Sequence, residues 1–423
     1  MKARQARVLL ASCTAVAVGL SLAACGSSGS GSGPTPTKKA ESGSDIKLGV
    51  ITSLTGPYSS NFTTLEKGVK ARLAVANAEG GVNGHKLTYV MADDTSTPAG
   101  ALAATKRLIQ QDKVYGILDG SPIFYAAASE AKAQSMPVTG VSFDGGPEWH
   151  DKSYTTFFDA YGYADYSIAA TTMTDFFKTQ GCAKVGSIGN IGLSSGLAAI
   201  AAVDAAGEGG LQKGFLDSKL PLTSTDAGPD VIAIKNSGTD CLYLPLTPSL
   251  AFSVVAGLRQ AGATMKSVVL ATGYGGDILA SKAGVQAAQG IIFSSSESPV
   301  EAKTAATKAF QEALAKYAGE TGVPRFGEYV GWTIADLFVY GLKQAGGDAS
   351  QAQFVSNLRA SKTWDAGGLY SQPTDFADPA PVAGGVGPGN CTNMVKLQDR
   401  TFVPIEGAMP VCGSVIKGLT ISQ

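Results

Sequence analysis

Gly192-Leu193-Ser194-Ser195-Gly196 has the G-x-S-x-G spacing of a serine nucleophile held between a strand and a helix. A serine in that turn needs a base, and the arrangement orders its partners as serine, acid, then histidine. Only His85 and His150 occur, and both precede Ser194. The glycines and serines are therefore read as a helix start, and no enzymatic activity is expected. Asp93-Asp94 suggests a metal or acid–base pair, but adjacent residues at a strand end point to opposite sides, and no His or Glu stands beside them. No metal and no cofactor are expected. Gly120-Ser121-Pro122 carries a different chemistry: it follows a strand and opens a helix, where free N–H groups, the helix dipole and the Ser121 hydroxyl favour an anion. Plain helix capping is the alternative there.

These residues need strands that end in loops and helices that begin there. From Asp45 the pattern alternates accordingly. Ile46–Ile51 reads as a strand, and 64–77 as a helix through Leu65, Val69, Leu73 and Ala76, stopping at Gly80-Gly81. Strands are expected at 86–92, 114–118 and 137–141, with helices at 98–111 and 123–134 between them. The alternation restarts with a helix over 163–180, a strand at 184–188 and a helix at 195–206. Strands follow near 215–220, 241–244, 268–271 and 290–293, then helices at 302–317, 328–344 and 350–359, and a hairpin-like pair at 393–398 and 401–405. Such alternation predicts α/β architecture: two doubly wound parallel-sheet lobes with ligands beyond the carboxyl ends of the strands.

The chain has 423 residues, 44% hydrophobic, with a net charge of −1. That length accommodates two cores, and the near-neutral charge offers no field for nucleic acid. Lys2, Arg4 and Arg7 precede a mainly apolar stretch, Val8 to Leu22, too short for a membrane span. Leu22-Ala23-Ala24-Cys25 then looks like a bacterial lipobox, which implies a signal peptide over 1–24 and lipidation of Cys25. Residues 25–44 are rich in Gly, Ser, Thr and Pro, and such a tether reaches about 25 Å. The protein is expected outside the cytoplasm, lipid-anchored to the cell membrane. Beyond Cys13 and Cys25, an even number of cysteines remains: Cys182, Cys241, Cys391 and Cys412. In an exported chain this suggests two disulfides, with three pairings open. A Cys₄ zinc site is the rival, but no CxxC occurs. In the strand order 2-1-3-4-5, Cys182 and Cys241 fall beside neighbouring strands, and Cys391 and Cys412 flank the terminal hairpin; these are the expected pairs.

Ile46-Lys47-Leu48-Gly49-Val50-Ile51-Thr52-Ser53-Leu54-Thr55-Gly56-Pro57, Glu79-Gly80-Gly81-Val82-Asn83-Gly84-His85-Lys86 and Asp93-Asp94-Thr95-Ser96-Thr97-Pro98 together resemble the opening of the type I periplasmic solute-binding proteins, the leucine/isoleucine/valine-binding branch. The resemblance implies a monomeric, bilobed receptor of an ABC importer that closes on a small solute and hands it to a membrane permease. A sensor presenting its solute to a signalling partner is the alternative. It also implies a three-segment hinge, with crossings near Asp159, Ser294 and Thr374. Residues 45–159 plus 294–373 would form one lobe, and 160–293 plus 374–423 the other.

By the same resemblance, Gly120 and Ser121 would hold a carboxylate, and the Ser142-Phe143-Asp144 loop would touch the head group. Tyr58 and Asn61 would line the cleft, and Leu193 and Thr247 stand where relatives carry aromatic rings. Phe157, Phe158, Tyr161, Tyr163 and Tyr166 crowd the first crossing as packing, with Tyr161 or Tyr163 able to stack on a ligand. Relatives place an acid for an α-ammonium on the loop matching Ala271-Thr272-Gly273-Tyr274, where this chain has none and Tyr274 offers a phenol instead. A solute with a polar head and an apolar tail is expected, neutral or anionic in preference to a free amino acid, unless Asp144 or Asp277 replaces the acid.

Overall fold

A computed structural model describes residues 43–191, 194–348 and 350–423. The leader, Cys25, all but the end of the tether, and Leu193 lie outside the described residues.

The first half builds β1 (Ile46–Thr52), β2 (Leu87–Asp93), β3 (Gly116–Gly120), β4 (Val138–Gly140) and β5 (Phe157–Asp159). Among the described residues these form a five-stranded parallel sheet in the order β2-β1-β3-β4-β5. After β6 (Ala164–Asp165) and β7 (Ile168–Ala170), the pattern repeats in β8 (Lys184–Asn190), β9 (Gln212–Leu220), β10 (Cys241–Leu244), β11 (Ser267–Leu270) and β12 (Ile292–Ser295). Their order, β9-β8-β10-β11-β12, is the same winding. The chain then adds β13 (Val382–Ala383), β14 (Cys391–Gln398), β15 (Thr401–Pro404), β16 (Val411–Cys412) and β17 (Val415–Thr420). The hairpin of β14 and β15 pairs antiparallel along β12, extending the second sheet. No helix among the described residues is long and apolar enough to cross a membrane.

The repeated winding explains the disulfides. Cys241 opens β10, which pairs with β8 through Cys241 and Val185, and Cys182 precedes β8; the two cysteines are bonded, with Cα atoms 5.9 Å apart. Cys391 and Cys412 face each other across β14 and β16 and form the second bond.

One expectation needs correcting. Residues 163–180 are not a single helix: only Thr172–Thr179 is helical. Gly162 and Tyr163 adopt positive φ, +84° and +64°, and the Asp165 carboxylate accepts the Ser167 N–H at 2.7 Å, a local turn that competes with helix. The residues between are claimed by distant partners, β6 by β13 and β7 by β17.

The first sheet is completed from far along the chain. The helix Phe326–Ala345 lies against β3 and β4, where the Thr139 hydroxyl donates to the Ile334 carbonyl at 2.9 Å. Its Phe338 ring stacks on Phe354 of the helix Gln351–Arg359, with centroids 4.6 Å apart. It crosses the helix Leu65–Ala78 at glycine: a Cβ on Gly331 would stand 2.0 Å from the Leu65 carbonyl, and one on Gly68 2.1 Å from the Glu328 carbonyl. Backbone cannot move aside as a side chain can. Gly331→Ala is therefore expected to cost about 1–3 kcal/mol or more, read as a lower urea midpoint. An unchanged midpoint would show that the crossing yields freely.

Candidate functional site: a cavity between two sheets

Loops leaving the carboxyl ends of strands in both sheets surround a cavity of about 1160 Å³, its open mouth included. Tyr58, Phe143 and Tyr161 come from the first sheet's loops, and Thr247, Thr272 and Tyr274 from the second's. Two contacts bridge the walls. The Ser194 hydroxyl donates to the Phe143 carbonyl, and the Arg325 guanidinium meets Asp277 at 3.0 Å.

Of the residues expected at a ligand, Tyr58, Asn61, Phe143, Tyr161, Thr247 and Tyr274 line the cavity. Gly120, Ser121, Ser142 and Asp144 are not in the lining, and Leu193 is outside the described residues. Ser121 is fully buried, and its hydroxyl donates to Asp94 at 2.5 Å while accepting from Ile123 N–H at 3.2 Å. Asp94 also takes the Ser53 hydroxyl at 2.7 Å, so the Asp93-Asp94 pair organises loops. Its neighbour Asp93 accepts from Leu54 and Thr95 N–H. Asp144 accepts the Trp149 indole N–H at 2.8 Å and the Gly146 N–H at 3.1 Å. The Tyr274 ring faces the cavity, but its hydroxyl donates to Glu301 and accepts from Val300 N–H at 3.1 Å. The Tyr58 hydroxyl, in contrast, is buried with no hydrogen-bond partner.

The lining holds residues that sequence reasoning missed: Glu297, Tyr166, Tyr243, Phe326 and Tyr329. Glu297 matters most. The Ala271–Tyr274 loop has no acid, yet a carboxyl reaches the cavity from the segment after β12. It is 3% exposed, and burial pushes its carboxyl up to about 7 although the hydroxyls of Tyr161 and Thr333 hydrogen-bond to it. No local signal marks it: Ser294-Ser295-Ser296-Glu297-Ser298 has no periodicity and reads as a polar loop.

Behind the first-sheet loops sits a group of buried acids, Asp119, Asp144 and Glu148, with no cation paired to them among the described residues. Burial, then the charge of Asp144, drives Asp119 well above the carboxylate range. Burial and the same neighbour push Glu148 up to about 9.

The pattern that defines the periplasmic binding protein family matches residues 45–389. The chain belongs to this family. Similarity to solved structures agrees with the fold. The fatty acid ABC transporter substrate-binding protein from Thermomonospora curvata superposes with a TM-score of 0.70 at 21% identity, over 89% of this chain and 95% of that one. A branched-chain amino acid transporter substrate-binding protein from Streptococcus pneumoniae, in complex with isoleucine, gives 0.68 at 18% identity over 88% and 99%. Among curated relatives, Leu/Ile/Val-binding protein homolog 2 of Brucella abortus is 35% identical over 68 residues, which is 16% of this chain and 18% of that protein. The curated match thus spans less than a fifth of either chain.

In this periplasmic binding protein the two serines of the G-x-S-x-G segment make local and cross-wall hydrogen bonds. Ser194 bridges to the opposite loop, and the Ser195 hydroxyl accepts the Asn190 N–H at 2.9 Å. Neither histidine lines the cavity: the His85 ring bonds the Ser44 carbonyl at 2.8 Å, and His150 is exposed. The family's place is outside the cytoplasm.

Proposed function

We propose that the protein is the solute receptor of an ABC-type importer. The observation that carries this reading is a cavity whose walls are shared between two sheets and bridged by Ser194–Phe143 and Arg325–Asp277. A solute that touches both walls only in the closed arrangement shifts the open–closed equilibrium by its differential affinity. Residues 45–159 with 294–373, and 160–293 with 374–423, are the two bodies that would close. The lining pairs phenyl and phenol rings with a few directed polar groups, which suits a solute with a polar head and an apolar body. The isoleucine and fatty acid named for the structural neighbours share that character.

A thermal-shift screen identifies solutes, since a ligand at one hundred times its Kd adds about 2.7 kcal/mol. Uptake of a labelled hit is then compared in cells with and without the chain. Uptake that needs the chain supports import; undiminished uptake in its absence overturns it. The Leu22-Ala23-Ala24-Cys25 motif makes a separate prediction. Cys25→Ser should move the protein from the membrane fraction to the soluble fraction. Continued membrane recovery, judged by immunoblot, would remove the lipid anchor.

A further inference from the structure

We infer that Glu297 is a head-group site for a solute bearing a protonated nitrogen and no carboxylate. The inference rests on the receptor reading and names the class of solute. The site is built where the chain passes between the sheets. Glu297 follows β12, and its own carbonyl accepts the Asn393 amide at 3.1 Å, which fixes the segment. The Thr333 hydroxyl lies 3.4 Å from its carboxyl. The Tyr161 phenol, just after β5, and the Tyr370 phenol, from the stretch before β13, also face it.

The titratable groups that the described residues bring against Glu297 are phenols and acids. Tyr161 and Tyr370 stand against it, Tyr329 faces it from the helix Phe326–Ala345, and Asp159 and Glu301 lie behind these phenols. No Lys, Arg or His occurs in the described lining. Burial without a cation pushes a carboxyl toward its neutral form, and a positive charge that enters beside it recovers the attraction the fold leaves unused. Tyr58, Tyr166, Tyr243 and Tyr274 also line the cavity, and a ring within reach of the cation adds to that attraction through its quadrupole. A carboxylate would instead bring a second negative charge beside Glu297. The lining hydroxyls of Thr272 and Ser194 already donate to the Leu246 and Phe143 carbonyls. On binding, the protonated fraction of Glu297 releases its proton to solvent, and the ammonium keeps its own.

The test uses three probes that share one body: 4-phenylbutylamine, 4-phenylbutan-1-ol and 4-phenylbutyrate, titrated calorimetrically into the purified chain near neutral pH. The amine is expected to bind at least tenfold more tightly than the acid, with the alcohol between. Its affinity should fall toward about tenfold per pH unit below the Glu297 value, as protons compete for the carboxyl. In Glu297→Gln the amine advantage should vanish while alcohol binding persists, which separates loss of charge from loss of fold. Equal affinities, an acid-first order, no binding of the amine, or an amine preference that survives in Glu297→Gln each overturn the inference. An acid-first order leaves the receptor reading standing, because that reading is decided by the uptake comparison.

Discussion

Asp336→Ala should destabilise the protein by about 3–5 kcal/mol. Asp336 sits on the helix Phe326–Ala345 and meets the Arg72 guanidinium of the helix Leu65–Ala78 at 2.6 Å. Its second oxygen accepts the Trp364 indole N–H at 2.9 Å. Both partners of the ion pair keep only about a tenth of their side chains exposed, and the Arg72 guanidinium lies 5.7 Å over the Trp332 ring. Removing the carboxylate strands a buried cation and a buried donor together, which costs far more than the pair contributes when intact. The double substitution Arg72→Met/Asp336→Leu should recover most of the loss, since no charge is then left unpaired. Urea unfolding of the two variants beside the parent protein decides this. A single-variant loss below about 1 kcal/mol would show that water reaches Arg72 and screens it.

Stability should fall as pH rises from the acidic range toward mildly alkaline conditions. In the unfolded chain carboxyls titrate near 4. In the folded chain burial holds Asp159 up to about 6, Glu297 to about 7 and Glu148 to about 9. Between those limits the native state binds more protons than the unfolded state, so each pH step upward favours unfolding. The contribution is fully present below the unfolded values and is lost as pH passes through the folded ones. Asp93 and Asp240 oppose this in acid: hydrogen bonds to Asp93 and the Lys266 partner of Asp240 hold them below the usual range, outweighing burial. Their contribution disappears as pH falls through that range. A maximum on the acidic side of neutrality results. For Glu297 alone the cost at alkaline pH is about 3 kcal/mol, at roughly 1.4 kcal/mol per pH unit. Glu297→Gln should therefore flatten the melting temperature against pH between about 5 and 8. An equally steep curve in that variant would mean that Glu297 ionises freely.

The sheets and disulfides were legible because their signals are local or repeat. Leu65, Val69 and Leu73 mark a helix by spacing, and the pattern that starts at Ile46 restarts at Lys184. Cysteine pairing then follows from strand order alone. What stayed hidden depends on partners far along the chain. Ser121 read as an anion donor because Asp94, which takes its hydroxyl, lies on another loop. Tyr243 and Tyr329 sit inside strand and helix patterns where an aromatic ring looks like core. Glu297 acquires its surroundings only when residues 161, 333 and 370 are brought to it. The run after Gly162 looked helical because β13 and β17, which claim it, come more than two hundred residues later.

The glycine crossing of Leu65–Ala78 with Phe326–Ala345 also sets the order in which the chain can fold. A growing chain that stops before Phe326 has all five strands of its first sheet but lacks the helix that covers Val69, Thr139 and Gly116. Contacts of such long sequence separation form late and slowly. The first sheet therefore stays unsealed until the last third of the chain has emerged, so the wall that its loops give the cavity takes shape late. Chains ending at Arg325 should be digested by protease under conditions that spare the full-length protein, and their resistance would show that the sheet seals without its late helix.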